Sequence, residues 1–152
     1  MLRGTFEHSI DDKGRVNVPG KWRDILHGSE EGRLFLTNFV VEEVRCLDAV
    51  PYAAWIKLEQ RVLNDEAEFD PGLIRFLNNY YLPGVCECQI DKQGRILIPP
   101  RLRDYAGLKK DVVITGMIDK FRIFDRDAYA PVFTGVEREF IQNPNLIRGF
   151  RL

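Results

Sequence analysis

The amino-acid sequence predicts an α+β fold built from two copies of one unit in a single chain. Three observations predict it. A segment recurs at a constant offset of 80 positions, hydrophobic alternation of period two flanks a glycine turn in each copy, and helical periodicity follows. The recurrent segment runs from Phe6 to Asp24 and again from Cys86 to Asp104, without a gap. Eight pairs are identical: Glu7/Glu87, Ile10/Ile90, Asp11/Asp91, Gly14/Gly94, Arg15/Arg95, Pro19/Pro99, Arg23/Arg103 and Asp24/Asp104. The likeness continues more weakly in Leu34-Phe35-Leu36-Thr37 against Val112-Val113-Ile114-Thr115, then Val44–Asp48 against Phe121–Asp125, and Tyr52-Ala53 against Tyr129-Ala130. There the offset falls to 78 and then 77, as expected when loops differ by a residue or two.

Each copy has the same grammar. Phe6, His8 and Ile10 alternate onto one face, as do Cys86, Cys88 and Ile90. Asp-x-x-Gly then marks a tight turn, with Gly14 or Gly94 supplying a positive φ. The chain returns as Val16 and Val18, or Ile96 and Ile98, and Pro19 or Pro99 ends that strand. A short helix follows, up to Leu26 in one copy and Tyr105-Ala106 in the other, with Gly28 or Gly107 as stop signals. A second strand pair comes next, 33–39 with 44–47 and 111–116 with 121–124. In the first copy Asp48 is placed to cap a helix through 51–64 with Pro51 in its first turn, and Trp55, Ile56, Val62 and Leu63 form its apolar stripe. Asp70-Pro71 opens another helix carrying Leu73, Ile74, Phe76, Leu77 and Tyr80, which Pro83-Gly84 closes. That breaker divides the chain into units 1–82 and 83–152. The second copy ends in a helix near 127–142 with Phe133, Val136, Phe140 and Ile141 on one face, then a basic tail with Arg148 and Arg151.

Composition narrows the function classes. The chain has 152 residues, 45% hydrophobic and 30% charged, so it can bury a core without staples and is neither disordered nor fibrous. No apolar run reaches the ~20 residues of a membrane span, and the first residues contain no signal-peptide core, so a cytoplasmic address is expected. Cys46, Cys86 and Cys88 lack the spacing of a zinc knuckle, and Cys86 and Cys88 fall in the alternation slots of Phe6 and His8, which makes them packing residues. With two histidines and two serines, and no glycine-rich phosphate loop, neither a catalytic triad nor a cofactor or metal site is expected. His8 reads as structural, and Tyr80, Tyr81 and the Trp55 stripe as core or subunit contact.

The 22 basic and 23 acidic residues balance, so nucleic-acid binding requires a local patch. Residues 92–110 carry net +5 and residues 42–70 net −5, an asymmetry that suits a phosphate backbone near the turns. Lys109 and Lys110 read as ordinary solvated charge. Arg15 and Arg95 are opposite in phase to Val16, Val18, Ile96 and Ile98, hence on the solvent face of twin ribbons. Asp11 and Asp91 have two open readings: carboxylates that bond the turn and pair with these arginines, or members of a functional constellation. An aspartic-protease-like dyad would need the two carboxylates to share a proton in a dry site. An arginine four residues after each aspartate opposes that, by holding it ionised.

Arg3-Gly4, Asp11-x-Lys13-Gly14-Arg15, Val18-Pro19 and Arg23, then Asp91-x-Gln93-Gly94-Arg95, Ile98-Pro99 and Arg103, resemble the two signature segments of the MraZ family of bacterial transcription regulators. The resemblance covers essentially the whole chain. It implies two AbrB-like swapped-hairpin units forming a pseudo-dimeric β-barrel flanked by helices. It also implies a non-enzymatic, nucleoid-associated regulator, generally a repressor. Such a protein binds direct repeats in the promoter of the division and cell-wall gene cluster, including its own gene, as a ring-shaped homo-oligomer. Arg15 matches that family's DNA-contacting arginine and Arg95 is its repeat counterpart. The expected supporting set is Arg3, Lys13, Lys21, Arg23, Lys92, Arg101 and Arg103, with Asp11, Gly14, Pro19, Asp91, Gly94 and Pro99 shaping the turns. The partners expected are double-stranded DNA and copies of the chain itself, with no membrane and no small-molecule substrate. Two rivals are an AbrB-type antitoxin or partner-binding module and a hydrolase using Asp11 and Asp91.

Overall fold

A computed structural model describes residues 1–28 and 30–150. Arg151 of the basic tail and Ser29 lie outside the described residues. The element order is β1 (Thr5–Ser9), β2 (Arg15–Asn17), α1 (Gly20–His27), β3 (Arg33–Val41), β4 (Val44–Pro51), α2 (Tyr52–Asp65), α3 (Pro71–Phe76), β5 (Cys86–Gln89), β6 (Arg95–Leu97), α4 (Pro100–Ala106), β7 (Asp111–Gly116), β8 (Phe121–Asp125) and α5 (Arg126–Gln142). The class is α+β, with the predicted elements in the predicted order.

The strand partners differ from a pair of simple hairpins. β1 and β2 meet only at the Ile10–Val16 bridge. β1 instead lies antiparallel on β7 of the second copy, and β5 lies antiparallel on β3 of the first. β2 pairs with β6. The halves thus exchange their first strands, which is the swapped arrangement that the resemblance implied. The result is a six-stranded antiparallel sheet, β1-β7-β8-β4-β3-β5, whose two edge strands lead into the separate two-stranded β2–β6 ribbon. The backbone groups that β1 and β2 do not satisfy in each other are satisfied by strands of the other copy.

One core fills the space between sheet, ribbon and the two short helices. Val16, Val18, Ile96 and Ile98 face inward from the ribbon, and Trp22, Leu26, Leu102 and Ala106 from α1 and α4. Leu34, Leu36, Leu47, Val112, Ile114, Phe121 and Ile123 come up from the sheet. Both copies contribute to every layer, and each fully buried aliphatic side chain is worth about 1.5–3 kcal/mol. The Trp22 ring takes Phe6 edge-on at 5.3 Å and Phe121 at 5.4 Å. Cys86 and Cys88 pack against this core, and burial pushes the Cys88 thiol up to about 12. His8 is partly enclosed, and its Nε2 is buried with no hydrogen-bond partner among the described residues.

Asp48 does not cap α2. β4 runs on to Pro51, so Asp48 lies within the strand, wholly buried. It accepts hydrogen bonds from Tyr81 Oη (2.9 Å), Lys120 Nζ (3.0 Å) and Arg122 Nε (2.8 Å), with Arg122 directly opposite in the β4–β8 register. Asp70 does cap α3, accepting from the Leu73 amide at 2.9 Å. The helix then widens into a π-turn over Leu77–Tyr81. Thr37 Oγ1 donates to the Tyr81 carbonyl and Asn38 Nδ2 to that of Tyr80, so the sheet satisfies groups that the helix leaves open. Trp55, Phe35, Phe76 and Tyr81 stack beneath α2 and α3. α5 buries Val132 alone, against Cys46 and Phe124, and Phe133, Val136, Phe140 and Ile141 are exposed.

Candidate nucleic-acid interface

The β2–β6 ribbon has one face in the core and one in solvent. Its register pairs Arg15 with Leu97, Val16 with Ile96 and Asn17 with Arg95. The ladder continues through the Val18 amide to the Gly94 carbonyl and the Ile98 amide to the Gly14 carbonyl, both at 2.9 Å. A pseudo-twofold axis therefore passes through the central Val16–Ile96 pair. Alternation leaves Arg15, Asn17, Arg95 and Leu97 on the outer face. Asn17 and Leu97 were not among the expected site residues, although they share the parity of Arg15 and Arg95, which is the signal that could have found them.

Each turn aims its arginine. The Asp11 carboxylate accepts from the backbone amides of Lys13 (3.0 Å) and Arg15 (2.8 Å), and its other oxygen takes Arg15 Nε at 2.7 Å. Asp91 does the same with Gln93, Arg95 and Arg95 Nε, at 2.9, 2.9 and 3.0 Å. The arginine backbone amide, then its side chain and the second amide, hold both carboxyls below the usual carboxylate range. With Nε committed, the terminal nitrogens of Arg15 have no partner among the described residues and can meet a two-acceptor edge. Arg95 differs, since its Nη2 also donates to Gln93 Oε1. The two turns lie at opposite ends of the ribbon, so each aspartate is paired with its own arginine and not with the other aspartate.

Glycine is required at both turns. Gly14 and Gly94 have φ of +87° and +77°. A Cβ on Gly14 would also come within 2.7 Å of the Arg103 guanidinium carbon, and one on Gly94 would collide with Arg23. Arg23 and Arg103 are thus locks across the repeats. Each lies over the other copy's turn and donates Nε to a carbonyl at the end of its own copy's ribbon strand, Val18 at 3.4 Å and Ile98 at 3.0 Å. Pro19 and Pro99 stand just before α1 and α4, and their carbonyls accept the first helical amides.

The remaining expected basic residues fall in three separate places. Lys13 and Lys92 are exposed at the turn tips. Lys21 and Arg3 line one shallow depression beside Trp22, whose Nε1 donates to the Arg3 carbonyl. Arg101 donates Nη2 to the Gly84 carbonyl at 2.8 Å, so it is tied to the connection between the halves. Among the described residues no helix is long and apolar enough to cross a membrane.

A family model described as "MraZ protein, putative antitoxin-like" matches residues 1–69 and 82–145, both turn-and-ribbon copies included. Proteins named transcriptional regulator MraZ are similar over most of the chain. That of Desulforapulum autotrophicum is 39% identical over 134 residues, covering 85% of this chain and 83% of its own. That of Thioalkalivibrio sulfidiphilus is 40% identical over 129 residues, with 85% and 83% covered. That of Anaeromyxobacter dehalogenans is 36% identical over 132 residues, with 85% and 87% covered. The duplicated turn, the exchanged strands and these similarities together place the chain in the MraZ family, to which it belongs.

Proposed function

We propose that the protein is a DNA-binding transcriptional regulator without enzymatic activity, and that the outer face of the β2–β6 ribbon enters the major groove. The observation that carries this reading is the pair Arg15 and Arg95, related by the pseudo-twofold axis and each oriented through Nε by a turn aspartate. A two-stranded ribbon fits the major groove, and arginine terminal nitrogens match guanine O6 and N7. We assign phosphate contacts to Lys13 and Lys92 at the turn tips, and to Lys21 and Arg3 in the depression beside Trp22. Arg23 and Arg103 hold the turns in shape, and Arg101 acts from the flank.

The finer reading follows the resemblance. The protein represses the division and cell-wall gene cluster, its own gene included, by binding promoter direct repeats as a ring of copies. One arginine–guanine contact supplies roughly 1–3 kcal/mol of discrimination, too little for a genome. Several ribbons engaging spaced repeats raise the effective affinity without a new contact. The apolar residues exposed on α5 support self-association.

Footprinting on the DNA upstream of the protein's own gene tests this. Protection of regularly spaced repeats is expected, weakening steeply with added salt. Arg15→Ala should weaken specific binding by about 1–3 kcal/mol with the melting temperature unchanged. Wild-type affinity in that folded variant would refute the site.

A further inference from the structure

The ribbon face is twofold in its arginines but not in the residues beside them. Asn17 and Leu97 occupy equivalent places in the two copies, 80 positions apart, on the same outer face. One is a side-chain amide. The other is a leucine 54% exposed, set directly across from Arg15. The guanidinium groups are also not equivalent, because Gln93 takes a terminal nitrogen of Arg95 while Lys13 at the corresponding place offers no acceptor to Arg15. One end of the ribbon therefore presents Arg95 with Asn17, and the other Arg15 with Leu97.

We propose that Asn17 and Leu97 are specificity-determining residues that read different bases, so that each ribbon recognises a non-palindromic element in one orientation. This rests on the reading of the ribbon as the DNA-contacting face. An asparagine amide can donate and accept on the major-groove edge of adenine, through N6 and N7. A leucine can do neither, and the apolar feature in that groove is the 5-methyl group of thymine. Next to the guanine taken by Arg95 the element carries an adenine, and next to the guanine taken by Arg15 it carries a thymine. A twofold frame with these two unlike residues binds head-to-tail repeats in a consistent direction, which a fully symmetric ribbon could not enforce.

The test is selection from a randomised duplex pool with the wild-type full chain and with Asn17→Leu, Leu97→Asn and Arg15→Ala, each checked for an unchanged melting temperature. The wild type is expected to enrich an element that is not its own reverse complement. Asn17→Leu should change the consensus beside one guanine only, and Leu97→Asn beside the other, each moving it toward self-complementarity. On the wild-type element, replacing the thymine beside the Arg15 guanine by deoxyuridine removes only the methyl group. It should weaken wild type about fourfold and leave Leu97→Asn indifferent. A self-complementary wild-type consensus, or both variants enriching the wild-type element, overturns the proposal. If Arg15→Ala loses enrichment while Asn17→Leu and Leu97→Asn keep the wild-type consensus, only this proposal falls. If wild type enriches nothing beyond Arg15→Ala, the ribbon reading falls with it.

Discussion

The two halves share one turn, strand and core pattern where they meet and differ in architecture where they do not. β2 and β6 must pair with each other, β4 must meet β8, and each first strand must fit the other copy's strand pair. A change in any of these is felt by its partner copy, so turn, ribbon and short helix keep one pattern. Beyond the second strand pair nothing imposes symmetry. The first half continues into α2 and α3, which bury Trp55, Leu77 and Tyr81 against the sheet. The second continues into α5, which buries Val132 and leaves Phe133, Val136, Phe140 and Ile141 exposed. The symmetric part is a scaffold for presenting side chains, and the asymmetric part is free to take on separate contacts.

Asp48 and Asp125 are one pair of equivalent positions that differ in their partners within the joint itself, and breaking each in turn should give the largest contrast. Asp48 is fully buried and anchors Tyr81, Lys120 and Arg122. Asp125, also buried, accepts only the Lys109 amide among the described residues, at 3.2 Å. Asp48→Ala strands a guanidinium and an ammonium that share a buried partner, and should cost about 3–5 kcal/mol in chemical denaturation. Asp125→Ala should cost about 1 kcal/mol. Equal losses would mean that the charge cluster between the halves adds nothing to their union.

Gly94→Ala probes the shared part. The left-handed backbone alone costs about 1–2 kcal/mol, and the new methyl must displace Arg23 from its place over the turn. Because Arg23 belongs to the first copy and Gly94 to the second, and the Val18 carbonyl that Arg23 holds lies beside Gly94, the damage should reach both copies at the Asp91–Arg95 end of the ribbon. DNA affinity should fall by more than the stability loss accounts for, read by titration at a temperature where the variant stays folded. Gly107→Ala is the control, with φ of +62° but nothing near its Cβ, and should lower stability without touching binding. On the asymmetric side, Phe140→Asp should leave the unfolding free energy of the subunit within about 0.5 kcal/mol. It should shift sedimentation toward smaller species if α5 is where copies meet.

These contrasts also mark what local sequence could convey. The alternation around Gly14 and Gly94, the φ of both glycines, the Asp70 cap and the reach of α5 are properties of neighbouring residues, and all could be read directly. The exchange of β1 and β5 could not, since a turn signal says that the chain reverses but not which strand it then pairs with. Asp48 has the local pattern of a cap, an aspartate ahead of Pro51 and a helical stretch, but lies inside β4. Its true partners, Lys120 and Arg122, are more than 70 positions away. Arg23 and Arg103 were legible as cations but not as locks, because the carbonyl and glycine they cover come together only in the fold. Asn17 differs again: its parity is that of Arg15, but a neutral side chain carries no charge signal.

The smallest expected effect again compares the copies, at His8 and its counterpart Cys88. Burial, and then the Arg23 guanidinium, hold the His8 imidazole below its ordinary value, so the folded protein favours the neutral ring. The unfolded chain takes up a proton near pH 6.5, and the folded one only at lower pH. Between those two values the unfolded state binds more protons, so stability is full above pH 6.5 and declines as pH falls through that window. Cys88 stays an uncharged thiol throughout, its value pushed up to about 12 by burial. His8→Cys gives the first copy the second copy's residue and should flatten the melting temperature between pH 5 and 7, leaving the acid transition of the carboxylates in place. A pH profile that keeps its slope in this variant would show that the decline arises elsewhere, and that the imidazole beside Arg23 is as silent as the thiol in its mirror position.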